Sequence, residues 1–291
     1  MATPIDIKAK AVVKTVIKGT ARFKTITTFV PPPIFDDDAQ AYFDAVVAAG
    51  GSLSTIEKEA WNVYVLDSKN NANAWHSDTI AEYPMLGSSI DSCKINSKNP
   101  GTFDGTFFNT TAGDFLSSGW TPNGSTSYMA TGIIPNTDLA FNDVTFEYYS
   151  RSTPVLVASL IGADQGASQR LMALLQNGGN DTSWYSYSFP AGFISFNPDN
   201  NNAADYHFVR RALNDSQIYK NGSSVSITSG SGGIQPTIEL YLGALNSVGS
   251  PSTFTDTECA GALVGKAFTA LQVLAQRNAR QTLNTSLSRN V

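Results

Sequence analysis

Residues 75–151 read WHSDTIAEYPMLGSSIDSCKINSKNPGTFDGTFFNTTAGDFLSSGWTPNGSTSYMATGIIPNTDLAFNDVTFEYYSR. A helical lead-in gives way to short β-prone runs cut by Asn99-Pro100-Gly101, Asn123-Gly124 and Pro135-Asn136. Gly and Asn accept the backbone angles of tight turns and Pro removes a ladder donor, so this punctuation favours short strands. It continues to about Val264, with turn signals at Asn177-Gly178-Gly179, Asn197-Pro198-Asp199-Asn200, Asn221-Gly222 and Gly230-Ser231-Gly232-Gly233. Between them lie TSWYSYSF, DYHFVRRA, SQIYKNG and IELYLGAL. Asn221-Gly222, between SQIYK and SSVSI, is the strongest hairpin signal in the chain. Strand after strand without intervening helices predicts a mainly β fold, an antiparallel two-sheet jelly-roll sandwich over residues 88–291.

Upstream, residues 34–87 read as a helical segment. Asp36, Asp37 and Asp38 precede AQAYFDAVVAAGG, in which Ala39, Tyr42, Phe43, Val46 and Val47 share one face. Three acids at that place suit the positive end of a helix better than a metal site. Ser54 and Glu57 form a capping box that opens a second helix, with Ile56, Ala60, Trp61, Val63 and Tyr64 inward. A short third helix is expected over Trp75–Glu82. At the other end, residues 266–283 form a helix that sets Phe268, Leu271, Leu274 and Ala275 against the sandwich.

The first 33 residues differ in kind. Ile5, Ile7, Val13 and Ile17 alternate with Lys8, Lys10, Lys14 and Lys18, then Phe23 and Phe29 continue the apolar parity beyond Gly19. Period two predicts a β-hairpin arm, and Pro31-Pro32-Pro33 predicts a stiff linker after it. A lone two-stranded ribbon is marginal in water, so the arm is expected to dock, preferably on another subunit.

Apolar content of 42% and charge of 15% are those of a globular chain of 291 residues. A net charge of −5 argues against a nucleic-acid partner, which needs an excess of cations. Arg277, Arg280 and Arg289 read as a solvated helix face. No run approaches the roughly 18–20 apolar residues of a membrane span, and MATPIDIKAKAVVK lacks the apolar centre of a secretory leader. Cys93 and Cys259 read as unpaired thiols packed like small apolar groups. The Asn-x-Ser/Thr triplets at Asn109, Asn123, Asn180, Asn214, Asn221 and Asn284 read as turn chemistry.

The search for reaction chemistry returns little. His76 and His207 are the two histidines, and His207 reads as a half-exposed strand residue. There is no nucleophile elbow, phosphate loop, CxxC pair or HExxH. No catalytic residue, metal or cofactor is expected, and the chain is read as not an enzyme. A sandwich glycosidase is the weaker alternative. Its carboxyl pair would stand about 5–5.5 Å apart, whereas Asp143 and Glu147 lie too far along a strand and Asp256 and Glu258 read as a solvated edge. Glycan binding is a stronger alternative, because aromatics crowd beside Asn-rich turns. Trp120, Trp184 and Tyr185 are the candidate contacts.

YPMLG, GW, NGSTSY, FEYYSR, ELYLGALNSVG, TECAGALVGKAF and the terminal SRNV appear in an order that resembles a family of structural proteins in tailed-bacteriophage virions. The resemblance covers roughly residues 36–291. It implies a helical region before a concanavalin A/LamG-like jelly roll closed by a C-terminal helix, and it supplies no catalytic residues. Ser288 departs from it, standing where the family has Gly before Arg289. The implied role is a tail-, collar- or capsid-associated virion subunit that assembles in the host cytoplasm. Its partners would be other virion proteins met through the arm, further copies of itself (a trimer is expected) and, in the lectin-like alternative, a host surface glycan.

Overall fold

A computed structural model describes residues 34–72, 74–153, 158–166, 171–176, 184–188, 193–196, 203–212, 215–228 and 234–291. The expected arm, with Ile5, Ile7, Val13, Ile17, Phe23 and Phe29, lies outside the described residues. The chain divides after Ile34, and Phe35–Val291 forms one compact unit. The change from helices to sandwich expected at 87/88 falls inside this unit.

Six α-helices occur among the described residues: α1 (Asp37–Ala48), α2 (Thr55–Asp67), α3 (Ala74–Ser77), α4 (Ile90–Cys93), α5 (Pro135–Asp138) and α6 (Ala270–Ser286). The first strands are β1 (Thr79–Tyr83), β2 (Thr106–Phe108), β3 (Phe115–Leu116), β4 (Gly119–Trp120), β5 (Tyr128–Ala130), β6 (Val144–Ser150), β7 (Ala158–Asp164) and β8 (Leu171–Gln176). The remainder are β9 (Trp184–Ser188), β10 (Phe193–Phe196), β11 (Ala204–Ala212), β12 (Asp215–Lys220), β13 (Ser223–Thr228), β14 (Tyr241–Leu242), β15 (Leu245–Ser247), β16 (Ser250–Ser252) and β17 (Cys259–Gly265).

The strands form two sheets. One runs β13-β12-β11-β6-β17-β4-β3, with β1 also paired to β17. The other runs β10-β9-β8-β7-β14-β5-β2, with β15 and β16 attached through β7. Pairing is antiparallel except for β15 on β7. This is a mainly β, two-sheet sandwich with helices before it and one after, as expected. Asn221 and Gly222, at φ 51° and 78°, make the β12–β13 hairpin that the sequence announces.

The first helices form where capping chemistry places them. Asp36 accepts from the Asp38 amide, and Ser54 and Glu57 close a reciprocal box. Lys69 bridges Asp36 and Asp38 at 2.5 and 2.8 Å, so the acidic triplet is a capped and paired helix start. Ala39, Tyr42, Phe43, Val46, Trp61, Tyr64, Val65 and Trp75 build a core of their own with Ala279 and Leu283 of α6. Val47, Ile56 and Val63, expected inside, are exposed.

The expected third helix is one turn, Ala74–Ser77, and the chain then enters β1. Thr79–Tyr83 pairs with Ala262–Gly265, and this pairing fuses the helical segment to the sandwich.

The β6 run VTFEYYS explains why one sheet is buried on both faces. Val144, Phe146 and Tyr148 enter the core between the sheets, with Phe208, Tyr206, Val264 and Ile218. Thr145, Glu147 and Tyr149 point the other way, where Thr145 Oγ1 accepts from Phe268 N and Tyr149 donates to Gln281 of α6. Helix α6 thus roofs a polar sheet face. The expected contact residues Leu271 and Leu274 are exposed, and Val273, Gln276, Ala279, Arg280, Leu283 and Asn284 face inward.

Both thiols are free and buried, with their pKa values pushed up to about 12 by burial, so they are unreactive packing groups.

Candidate functional site

Sequence-predicted site residues fall into three groups. Trp120 is fully buried, packed edge-on to Phe107 in the inter-sheet core, and so is not a glycan contact. The correction has a simple cause: Gly119-Trp120 pairs with Cys259 and Phe115, and the pleat turns the indole inward. Trp184 and Tyr185 belong to β9, and their side chains lie outside the described residues. His207 is fully buried, not half-exposed. Arg280 and Arg289 are also fully buried, not a solvated face. Glu258 pairs with Arg151 at 2.8 Å.

The other sheet carries a different surface. On its outer side Phe108, Tyr128 and Tyr241 form a row of rings across β2, β5 and β14. Phe108 stacks on Tyr128 with centroids 4.9 Å apart and planes at 11°, and Tyr128 meets Tyr241 at 4.5 Å. Phe108, at 40% exposure, presents its ring to solvent, whereas Tyr128 and Tyr241 are largely buried, at 8% and 7%. Tyr241 leads into an open cavity of about 510 Å³ lined also by Gly132, Ile134, Ile238, Glu239, Asn246 and Gly249. The sequence signal for this face was the alternation in TSYMATG, where Tyr128 and Ala130 take the parity opposite to core Met129.

The polar groups of the cavity are braced. Glu239 Oε2 accepts from Gly132 N at 2.9 Å. Asn246 donates Nδ2 to Glu239 O at 2.8 Å and accepts from Gly249 N at 3.0 Å. The Tyr241 phenol is pushed up to about 12, first by burial and then by Tyr128 and Glu239, so it stays a neutral donor. The lining holds one carboxylate and no cation. Aromatic ring faces beside a few convergent polar groups in a concavity are what a small polar-apolar ligand requires.

Beneath α6 lies a second constellation, wholly dry. Arg280 donates to Glu82 Oε1 through Nη2 and to Glu147 Oε1 through Nε, each at 2.7 Å. Tyr64 donates to Glu82 at 3.0 Å, and Gln276 donates to the Tyr64 hydroxyl and to Glu147. Gly261 makes room for this guanidinium, since a Cβ there would stand 2.6 Å from Arg280 Nη1. Burial raises the pKa of Glu82 to about 7 against the pull of Arg280. Glu147 is held low by Arg280 despite its burial.

Arg289 closes the same region. Its guanidinium donates to the carbonyls of Pro84, Met85 and Ala260 and to Asn284 Oδ1, at 2.6–3.0 Å. Its own carbonyl accepts from Arg151 Nε, and Val291 N donates to the Tyr149 hydroxyl. The stretches YPMLG, FEYYSR, ECAGAL and SRNV thus meet at one clasp.

No protein-family model matches the chain, and no curated protein does. Among solved structures it is similar to a mutant of Trypanosoma rangeli sialidase displaying trans-sialidase activity, at 14% identity and a TM-score of 0.51, over 78% of this chain and 39% of that one. The NanB sialidase of Streptococcus pneumoniae matches at 14% identity and 0.37, over 49% of this chain and 25% of that one. The Ruminococcus gnavus IT-sialidase CBM40 matches at 11% and 0.36, over 48% of this chain and 88% of that one. The chain spans about a quarter to two fifths of the length of the sialidases it matches. The likeness at 0.51 establishes the fold, a β-sandwich, and assigns no reaction. It still corrects one expectation. A chain read as not an enzyme has a fold that occurs within a sialidase, so the missing motifs do not set it apart from glycoside hydrolases.

Proposed function

We propose that the chain is a carbohydrate-binding β-sandwich of jelly-roll topology whose site is the outer face of β2, β5 and β14. The observation that carries this reading is the ring row Phe108, Tyr128 and Tyr241 running into the cavity of Glu239 and Asn246. The occurrence of the fold in a sialidase chain adds support. With one carboxylate and no cation in its lining, the cavity favours neutral or amino sugars and repels carboxylated ones such as sialic acids.

A glycan array on the full chain tests this, with Tyr241→Ala and Phe108→Ala beside it. Retention of neutral or amino-sugar glycans that both variants lose supports the proposal. Retention of sialylated glycans alone, or binding that survives both substitutions, contradicts it. Product analysis of the same glycans reads out any hydrolysis.

A second role rests on the sequence resemblance. We propose that the chain is a structural subunit of a tailed-bacteriophage virion, assembled in the host cytoplasm and docked to other virion proteins through Ile5, Ile7, Val13, Ile17, Phe23 and Phe29. Copies would associate as a trimer and present the sandwich outward. What supports this reading is that four of the seven stretches carrying the resemblance, YPMLG, FEYYSR, TECAGALVGKAF and SRNV, converge on the Arg289 clasp. Solution mass of the full chain against residues 34–291 tests it. A multimer that becomes a monomer on truncation supports the docking arm, and an unchanged mass contradicts it.

A further inference from the structure

The clasp and the sugar-binding face leave one cluster unused. β11 pairs antiparallel with β6, setting His207 opposite Glu147, and Asp205 lies two residues along on the same face. All three side chains are fully buried. One nitrogen of His207 and one oxygen of each carboxylate lie within 4.8 Å of one another. His207 Nε2 is 3.7 Å from Glu147 Oε2, and Nδ1 is 3.6 Å from Asp205 Oδ1. These spacings are too long for hydrogen bonds.

The polar atoms here are also orphaned. Both nitrogens of His207 and both oxygens of Asp205 have no hydrogen-bond partner. Buried polar atoms are ordinarily satisfied, so four of them gathered in one dry place call for a bridging species. Two tetrahedral donors that share a cation at about 2.0–2.2 Å stand roughly 3.3–3.6 Å apart. His207 can offer such an ion one nitrogen, so one of its two spacings would span the cation, and the remaining carboxylate oxygen lies within the 4.8 Å cluster.

Charge points the same way. Within the network joined by direct contacts, Glu82, Glu147 and Asp205 face one guanidinium, that of Arg280. Arg280 is shared between Glu82 and Glu147, and among the described residues Asp205 has no cation in direct contact with either of its oxygens. A cation bound there would supply the counter-charge that Asp205 lacks. Arg280, at 2.7 Å from Oε1, and Gln276, at 3.4 Å from Oε2, orient the Glu147 carboxylate, as groups behind a metal ligand do.

We propose that Glu147, Asp205 and His207 form a structural site for one divalent first-row transition cation, of the zinc or manganese class. An imidazole nitrogen with carboxylate oxygens suits such ions, whereas magnesium and calcium prefer oxygen alone. Asp205, with both oxygens free, supplies the chelating pair, Glu147 a third oxygen and His207 the nitrogen. The site is closed to solvent, which belongs to a structural metal and not to one that turns over substrate. It would pin β6 to β11 and, through Glu147 and Arg280, to α6.

Burial means that the ion enters as the chain folds. The full chain is therefore unfolded in chelator, refolded with Zn²⁺, Mn²⁺, Ca²⁺ or Mg²⁺, desalted, and its metal content and Tm measured. About one zinc or manganese ion per chain, retained through chelator dialysis, with a Tm several degrees above that of chelator-refolded protein, is the expected result. Asp205→Asn and His207→Gln should lower the retained metal by roughly ten-fold or more. Absence of stoichiometric metal from wild-type protein refolded with all four ions, with Tm unchanged, overturns the proposal whatever the variants do. Retention of calcium or magnesium in place of zinc and manganese, or wild-type retention in both variants, overturns it as well.

Discussion

Arg280 is the residue on which the interior depends. It answers Glu82 and Glu147 at 2.7 Å each, with all three side chains fully buried. Removing it leaves carboxylates without a counter-charge in a medium that cannot solvate them, a loss of about 3–5 kcal/mol. Arg280→Ala should therefore unfold in urea with stability reduced by that order, and a midpoint within error of wild type would contradict the account. Glu82 gives a pH signature. Burial, with Glu147 pushing and Arg280 pulling, sets its carboxyl at about 7, against an ordinary value of 4.5. The folded chain keeps a proton that the unfolded chain releases, so the Glu82 contribution is full below about 4.5 and is lost as pH rises to about 7. Glu82→Gln cannot titrate. The Tm difference between wild type and this variant should move in favour of the variant across that window, and parallel curves would contradict the assignment.

At the scale of elements, what the sequence revealed and what it hid have physical reasons. Caps and turns are local chemistry, so the Ser54–Glu57 box and the Asn221-Gly222 hairpin were legible. The orientation of α6 was not. Apolar spacing pointed to Leu271 and Leu274, while the buried side carries Gln276, Arg280 and Asn284, whose partners sit on β1, β6 and the Arg289 tail. A polar residue that is satisfied at long range looks in sequence like a solvated one. Thr79–Glu82, the start of β1, was read as helix because its partner strand, Cys259–Gly265, lies far along the chain. The ring row was missed for a related reason: Phe108, Tyr128 and Tyr241 come from three separated stretches. The end of α6 yields its own prediction. Ser288 N donates to Thr285 O and Arg289 N to Asn284 O, the Schellman closure, with Ser288 at φ 56°. A side chain there is strained by about 1 kcal/mol or more, which glycine relieves. Ser288→Gly, the residue the resembling family carries, should raise stability by about 1 kcal/mol in denaturant unfolding. An unchanged or lower midpoint would show that the left-handed position is not the strained point.

For the whole molecule, the helices, both sheets and α6 are interlocked within Phe35–Val291. Removing residues 1–33 should leave far-ultraviolet circular dichroism typical of the sandwich and a Tm within a few degrees of the full chain. A collapsed transition in the truncated protein would contradict the self-sufficiency of this unit. Division of labour follows from the layout. One sheet face is roofed by α6 and given over to a polar clasp, and the opposite sheet carries a ring row, exposed at Phe108 and buried at Tyr128 and Tyr241, with a cavity beside it. Titration of neutral and amino-sugar oligosaccharides into the full chain and into Tyr241→Ala, followed by calorimetry, tests that division most directly. The account predicts saturable heat with the wild-type chain and its loss in the variant, with sialylated ligands silent. Binding of equal strength in both proteins, or none in either, would contradict it.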